Sequence, residues 1–240
     1  EAFVFAGDHS ASRGRRHGRP ATGVPGWRFL AYAQNHDQVG NRARGDRLSQ
    51  LVRPDRLKIA AALVVCAPFV PMFFQGEEWG ATTPFQYFTD HPDPDLGRAI
   101  SEGRRREFAA FGWDPADVPD PQDPATFERS KLDWDEASTG PHRHLYDWHR
   151  QLIDLRRHRA DLAVGDRDRV EVTCDDAAGW LVLRRGSVAV ACNLGPRPAT
   201  VSVPGCRILL ASGADVSLTG STLVLPPDTV AIIGGEGEGG

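Results

Sequence analysis

Apolar runs and amphipathic stretches alternate along the first 165 residues. In residues 27–34, WRFLAYAQ, the apolar pattern is continuous rather than alternating, which is typical of a strand covered on both faces in a parallel sheet. Residues 53–67 carry an early proline, internal alanines and leucines, and a break at Pro68, which together predict a helix. A second apolar run begins at Phe69 and ends in carboxylates and glycine at residues 77–80. This strand–helix–strand order predicts a parallel α/β unit with polar residues after each strand.

Two further helices flank an irregular segment. Residues 95–111 and 141–160 have helical patterns, and Pro141 lies in a first turn, where a helix tolerates proline. The second helix has an apolar stripe made of Leu145, Trp148, Leu152 and Leu155. Residues 113–134 are too rich in proline for a regular element and predict an ordered surface loop. Its aromatic side chains are expected to anchor it: Trp113, Phe127 and Trp134.

After about residue 165 the pattern changes to short β-branched runs separated by Gly, Pro, Asp or Asn, which is typical of an antiparallel sandwich. Residues 1–26, rich in Gly, Arg and Pro, predict an irregular loop. The sequence therefore predicts an α/β part over 1–164, an antiparallel β domain over 165–234 and a disordered glycine-rich tail over 235–240. A complete (β/α)8 barrel needs about 250 residues, so the first part is either a smaller fold or the last units of a barrel.

Composition indicates a globular protein with a sizeable core, since 40% of the residues are hydrophobic. The net charge of -4 and the pI near 6.1 argue against a protein dominated by phosphate neutralisation. One basic cluster, RGRRHGR at 13–19, lacks interleaved aromatics and favours an arginine-rich loop over a nucleic-acid site.

The cysteines indicate a reducing compartment. They have no CxxC spacing and lie in apolar segments, so we expect buried free thiols and a cytoplasmic protein: Cys66, Cys174, Cys192 and Cys206. No run of about 18 apolar residues and no signal peptide is found, so no contact with a membrane is expected. The chain opens on Glu1 without a methionine, and we expect it to be the C-terminal portion of a longer protein.

A polar cluster, Asn35-His36-Asp37-Gln38, follows the first predicted strand. Three interpretations compete: a solvated turn, a metal site, or a catalytic carboxylate at the mouth of a barrel. A metal site is disfavoured, because adjacent His36 and Asp37 point apart on an extended chain and no further ligand is spaced to join them. A carboxylate after a barrel strand is where such enzymes put catalytic side chains.

Sequence motifs favour the catalytic interpretation. FLAYAQNHDQVGNR resembles the seventh-strand motif of the alpha-amylase superfamily, and VPMFFQGEEWG resembles its eighth-strand motif, with Pro71, Gly76 and Glu78 at the matching places. RGRRHG, QNHDQVGNRARGDRLS, FFQGEEWGATTPFQYFTDH and DVPDPQDPATFERSKLDW together are similar to one family within it, the malto-oligosyltrehalose trehalohydrolases. The resemblance covers most of residues 1–160 and, more loosely, the β domain.

The resemblance implies the last two strand–helix units of a (β/α)8 TIM barrel, followed by an antiparallel β-sandwich. It also implies a retaining glycosidase that releases trehalose from maltooligosyl trehalose, or acts on a related α-glucan, without a cofactor or metal. Asp37 would be the transition-state stabiliser. The substrate-binding residues would be Asn35, His36, Gln38 and Arg42. The nucleophile and the acid/base belong to earlier strands of that barrel, and no motif in residues 1–26 matches either, so we expect this chain to be inactive alone.

Other side chains remain open candidates. Asn41 lines the cleft or caps the next segment, and the Glu77–Glu78 pair is expected to be structural rather than catalytic. Aromatic side chains here either stack on glucose rings or pack in the core, with core packing expected for at least two of them: Trp79, Phe85 and Tyr87. Asp90 and His91 are candidates for the substrate rim.

Two rival functions stay open at this stage. A branching or other amylase-type enzyme would share the two strand motifs and differ in its products. A non-catalytic carbohydrate-binding or scaffold protein would be favoured if no barrel preceded these residues, since β-sandwiches serve both roles.

Overall fold

The computed structural model describes residues 5–110 and 112–235. The α-helices in these ranges are α1 His36–Gly40, α2 Leu48–Leu51, α3 Pro54–Cys66, α4 Pro94–Ala110, α5 Pro124–Arg129, α6 Gly140–His158 and α7 Ala160–Ala163. The strands are β1 Ala6–Ser10, β2 Arg15–Gly18, β3 Leu30–Ala31, β4 Val70–Pro71, β5 Val170–Asp175, β6 Trp180–Arg185, β7 Val188–Asn193, β8 Ala199–Ser202, β9 Arg207–Ala211, β10 Ser217–Thr219, β11 Thr222–Leu225 and β12 Thr229–Gly234. The 3₁₀ turns are Ala11–Arg13, Gly26–Arg28, Glu77–Trp79, Pro115–Asp117 and Asp135–Ser138.

The predicted parallel strand pair is present, but its strands are short. β3 and β4 pair in parallel with Leu30 opposite Val70, and α3 connects them. The prediction of a strand over the whole of 27–34 was wrong. Residues 26–28 form a 3₁₀ turn, and β3 has hydrogen-bonding partners along one edge only among the described residues. A strand inside a parallel sheet normally pairs along both edges, so a single neighbour supports only a short ladder.

Two other segments also differ from expectation. Residues 1–26 were predicted to be irregular, yet β1 and β2 form an antiparallel hairpin that includes the basic cluster. The proline-rich loop contains the short helix α5, where Pro124 stands in the first turn and Asp123 caps it by accepting a hydrogen bond from the Ala125 N–H at 2.9 Å. Two of the aromatic side chains expected to anchor this loop contact rings outside it: Phe127 lies 5.1 Å from Phe88, and Trp134, although 71% exposed, lies 5.2 Å from the buried Trp79.

The loop is also held by a polar contact to α4. Asp120 accepts hydrogen bonds from the Ser101 hydroxyl at 2.5 Å and from the Gln122 N–H at 3.0 Å, and it pairs with Arg105. The Ser101 hydrogen bond is the largest contribution that lowers the pKa of Asp120. A carboxylate that accepts several hydrogen bonds therefore adds to the aromatic contacts of this segment.

The β-rich part is a two-sheet sandwich, as the sequence predicts. Five strands pair in the order β5-β6-β7-β12-β9, and three pair in the order β10-β11-β8, all antiparallel. Alternate side chains of the central strands point into the space between the sheets, including Ala189, Ala191 and Ile233, where they meet Leu223 and Leu225 of β11. The period of two is that of a strand with two packed faces.

The second face of the larger sheet packs on helices. Val190 of β7 and Ile232 of β12 share one hydrophobic core with α3, α6 and α7. The stripe predicted for α6 faces this core: Leu145, Trp148 and Leu152 are buried, and Leu155 packs against them partly buried. This core extends across residue 165, so the α/β and β-rich parts are joined by close-packed side chains.

The cysteines divide into two groups. Cys66 and Cys192 are buried free thiols, as expected, and burial raises their pKa values to about 12 and about 11 respectively. The expectation is wrong for Cys174, on the exposed edge strand β5, and for Cys206, in the turn before β9. An apolar sequence around a cysteine therefore does not ensure its burial when the strand lies at the edge of the sheet.

The predicted disordered tail, 235–240, lies outside the described residues apart from Gly235. Within residues 5–110 and 112–235, no helix is long and apolar enough to cross a membrane. The same ranges contain no group of three or more His, Cys, Asp or Glu side chains that could hold one metal ion.

Candidate functional site

The polar cluster after β3 folds into the first turn of helix α1. Asn35 is the N-cap, and its Oδ1 accepts hydrogen bonds from the Asp37 N–H at 3.0 Å and the Gln38 N–H at 3.2 Å. Gln38 Oε1 in turn accepts from the Asn35 N–H at 2.8 Å. This capping box satisfies otherwise unpaired backbone donors of the first turn. The sequence Asn-x-x-Gln therefore dictates the local conformation.

Asp37 and His36 project from the capped turn into solvent. Their side chains are 72% and 71% exposed, and His36 Nε2 lies 3.4 Å from Asp37 Oδ1. The expectation that these neighbours point apart was wrong, because they lie on a helical turn and not on an extended chain. The capping box fixes the backbone of Asp37, and the exposed carboxylate oxygens can accept hydrogen bonds from a ligand.

The other predicted binding residues are placed differently. Asn35 and Gln38 use their side-chain carbonyl oxygens in the capping box, so their outward hydrogen-bonding capacity is reduced to the amide groups. Arg42 lies near the end of the same segment, and its Nε donates to the Gln38 carbonyl at 3.2 Å. Asn41 is the C-cap of α1 and is exposed. The four predicted binding residues and Asp37 thus share one short segment.

A tight turn follows β4. Gly76 and Gly80 flank the 3₁₀ turn Glu77–Trp79 with φ values of 84° and 67°, a region that favours glycine. A Cβ on Gly76 would also lie 2.7 Å from a Leu132 side-chain carbon, so the close approach adds a second reason for glycine. The turn directs Glu77 inward.

Glu77 has the structural role expected for it. Its Oε2 accepts from the Phe74 N–H at 3.1 Å, and the nearby Gln34 side chain lowers the pKa of its carboxyl group. Burial raises the pKa of Glu77 to about 7, more than these contacts and Arg47 lower it. Glu78 Oε2 is buried and has no hydrogen-bond partner among the described residues.

The candidate stacking aromatics are mostly packed. Trp79 is buried, and the Phe85 ring is edge-on to Phe74 at 5.0 Å and to Phe88 at 5.8 Å. Tyr87 is more exposed, but the Arg104 guanidinium covers its ring at 4.6 Å. Core packing of at least two of the three is therefore confirmed.

The rim candidates lie near a hydrogen-bonding glutamine. The His91 N–H donates to Gln122 Oε1 at 3.2 Å, and His91 O accepts from Gln122 Nε2 at 3.3 Å. This exchange ties the segment around Asp90 and His91 to the proline-rich loop and gives it a structural role.

Three functional neighbours escaped the sequence reasoning: Gln34, Arg47 and Arg104. Arg104 of α4 donates a hydrogen bond to the Gly40 carbonyl, so α4 holds the C-terminal end of α1. Gln34 Oε1 accepts from the Leu48 N–H at 2.8 Å. The local sequence does not show that these polar side chains are buried or bonded, because each of them bonds to backbone atoms that lie far away in the sequence.

Comparisons with known proteins give related sequences over nearly the whole chain. A malto-oligosyltrehalose trehalohydrolase from Rhizobium sp. strain M-11 is 50% identical over 97% of this chain and 39% of its own length. One from Mycobacterium tuberculosis H37Rv is 48% identical over 86% of this chain and 36% of its own length. A domain of unknown function, DUF3459, matches residues 165–232. The chain therefore spans about two fifths of the length of these two relatives.

Solved structures give a consistent fold. A putative alpha amylase from Salmonella typhimurium superposes with a TM-score of 0.82 at 33% identity, over 95% of this chain and 39% of that one. A trehalulose synthase MutB variant superposes with a TM-score of 0.55 at 18% identity, over 85% of this chain and 42% of that one. At that identity the second match bears on the fold alone.

Proposed function

The chain is homologous to the malto-oligosyltrehalose trehalohydrolases over almost its full length, and from this we propose that it forms part of a retaining glycoside hydrolase. The complete protein would cleave the α-1,4-glucosidic bond next to the trehalose end of maltooligosyl trehalose and release trehalose. These residues would contribute the carboxylate that holds the sugar. The nucleophile and the acid/base would come from other parts of the protein.

The structural observation that supports the role of Asp37 is its geometry. A capping box fixes its backbone at the end of β3, while its carboxylate stays exposed and accepts no hydrogen bond from the described protein groups. An ionised carboxylate offers up to four acceptor sites, enough to bind two neighbouring sugar hydroxyls. Because the backbone is already fixed, little reorganisation is needed when substrate binds.

Asp37 would act by differential binding. A glycosidic bond breaks through an oxocarbenium-like transition state in which the ring flattens. Hydrogen bonds from the ring hydroxyls to Asp37 accelerate the reaction if they are stronger in that distorted ring than in the ground state. His36, beside Asp37, would bind the same sugar, and Arg42 would approach from the C-terminal end of α1. Asn35 and Gln38 would position the turn and offer their amide groups.

We propose that β3, α3 and β4 are part of the last two strand–helix units of a (β/α)8 barrel. Parallel pairing across a connecting helix supports this. So does the exposure of large apolar side chains on the pair, Leu30 at 57% and Val70 at 41%, since barrel strands are covered on both faces. The domain division at 164/165 would then separate a barrel portion from the β-sandwich.

The test is an exchange in a relative that spans the whole fold. These residues replace the matching 39% of the Rhizobium sp. protein, and trehalose released from maltooligosyl trehalose is measured. Asp37→Asn in the chimera is expected to lower kcat/KM by about 10²–10³-fold with unchanged folding, because the amide still accepts but adds no negative charge. The matched control is Asp176→Asn, at an exposed aspartate of the β5–β6 turn.

Three outcomes would reject the proposal. Asp37→Asn activity near that of the control would remove Asp37 from the transition state. A folded chimera that forms new α-1,6 branches and no trehalose would favour the branching enzyme instead. A chimera that binds maltooligosaccharides without any turnover would favour a carbohydrate-binding role.

A further inference from the structure

Arg47 is the largest fully buried side chain in the described residues, with 0% exposure. Its Nε donates to the Thr83 carbonyl at 2.6 Å, and its Nη1 donates to the Gln75 carbonyl at 2.6 Å. These two carbonyls lie at the two ends of the turn that follows β4. One planar guanidinium, whose N–H donors are fixed in a fork, thus bridges both ends of that turn.

The same segment makes further contacts with the turn. Ser49 Oγ donates to the Ala81 carbonyl at 2.8 Å, and Gln50 Nε2 donates to the Thr82 carbonyl at 3.0 Å. Residues 47–50 therefore clamp residues 75–83 through four side-chain hydrogen bonds to backbone. Arg47 makes two of the four.

Arg47 also connects this clamp to the candidate site. The N–H of its neighbour Leu48 donates to Gln34 Oε1, and Gln34 directly precedes the N-cap Asn35. The Gln34 side chain also acts on Glu77, inside the clamped turn, and lowers the pKa of its carboxyl group. Buried polar contacts therefore connect the end of β3, residues 47–50 and the turn after β4.

A buried guanidinium carries a large desolvation cost, so its retention needs an explanation. Burial lowers the pKa of Arg47, and nearby carboxylates oppose this: Glu136, Glu78 and Glu77. Its Nη2 has no hydrogen-bond partner in the described residues. An apolar side chain would fill this space at lower electrostatic cost but would leave the Gln75 and Thr83 carbonyls without donors.

We propose that Arg47 is a positioning residue that holds the loops after β3 and β4 in a fixed relation, so that Asp37 meets the substrate in its productive geometry. The catalytic part of this inference rests on the proposed function. Arg47 touches no substrate in this scheme, and it acts through the backbone of residues 75–83 and through Gln34. Small displacements at a reacting centre are enough to slow turnover about 10²-fold.

The test compares Arg47→Lys with Arg185→Lys in the chimera. Arg185 is a matched control, because it is 3% exposed and likewise donates to backbone carbonyls, those of Cys66 at 2.8 Å and Ala67 at 3.0 Å, at the junction with the β-sandwich. Both variants are expected to lose thermal stability. Arg47→Lys is expected to lower kcat by about tenfold to hundredfold with KM changed less than threefold, whereas Arg185→Lys keeps kcat within about twofold.

Hydrogen exchange gives a readout that needs no activity. Arg47→Lys should raise amide exchange in peptides covering 34–40 and 75–83, and Arg185→Lys should raise it near residues 64–69. Unchanged exchange at 34–40 and 75–83 in Arg47→Lys overturns the clamp, and an equal loss of kcat in both variants overturns the positioning role. If the unsubstituted chimera folds without releasing trehalose, the proposed function fails, and the exchange result still decides the clamp.

Discussion

Glu77→Gln is expected to stabilise the protein at alkaline pH and to have little effect at acidic pH. The carboxyl is 8% exposed, and burial raises its pKa to about 7 from an ordinary value of 4.5. Between these values the folded state keeps a proton that the unfolded chain releases. The stability that this proton contributes is complete below pH 4.5 and is lost as the pH rises through about 7.

The size of the effect follows from the two pKa values. The difference, about 7 minus 4.5, corresponds to ~3 kcal/mol at about 1.4 kcal/mol for each pKa step. Glutamine is uncharged at every pH, is nearly the same size, and keeps a carbonyl oxygen for the Phe74 N–H and the Gln34 amide. The variant therefore avoids the cost of ionising a buried carboxyl and keeps the hydrogen bonds that it accepts.

The assay is urea unfolding of the 240-residue chain, followed by tryptophan fluorescence at pH 5 and pH 8. The free energy of unfolding of Glu77→Gln, relative to that of the unsubstituted chain, should rise by ~2–3 kcal/mol between the two pH values, because part of the full difference is already present at pH 5. Glu128→Gln, at a surface carboxylate paired with Lys131, controls for the loss of one negative charge. A relative stability that does not rise with pH would show that Arg47 keeps Glu77 ionised, and the assigned direction of the pKa shift would be wrong.

Two further predictions concern the β-sandwich. In the native chain a thiol reagent should label Cys174 and Cys206 and spare the two buried cysteines, with all four labelled in urea; early labelling of four in the native state would contradict the packing of the shared core. Asp228 has a φ of 52°, and its carboxylate pairs with Arg56 of α3 at 2.8 Å. Asp228→Gly should lose only the ion pair, whereas Asp228→Ala should lose about 1 kcal/mol more through backbone strain, and equal melting temperatures for the two variants would exclude that strain.

The elements with strong periodic patterns could be predicted from the sequence. α3, α4 and α6 begin and end within about two residues of the expected bounds, and the stripe on α6 identified the side that packs on the sheet. The β-strands were predictable because β-branched runs alternate with turn residues. In each case the information is local and repeated many times.

The strand ends and the site were less predictable, because they depend on contacts distant in sequence. The capping box that makes Asn35–Gly40 a helix could have been found from Asn35 and Gln38 three residues apart, but the preceding apolar run favoured an extended chain. The burial of Arg47 could not be found, since its acceptors lie 28 and 36 residues further along the chain. The site residues Asn35, His36, Asp37, Gln38 and Arg42 remain predictions, as do the domain limits.

The double coverage of β7 and β12 restricts how the β-sandwich could contact a glycan. Every residue of both strands is buried, with one set of side chains against the helices and the alternate set against the smaller sheet. A polysaccharide chain lying on a sheet needs a broad, solvated platform of side chains, and these central strands offer none. A glycan could contact the β-sandwich only at its strand edges, at its turns or on the outer side of the smaller sheet. Because the central strands share a core with the helices, a displacement of these strands would also shift the helices.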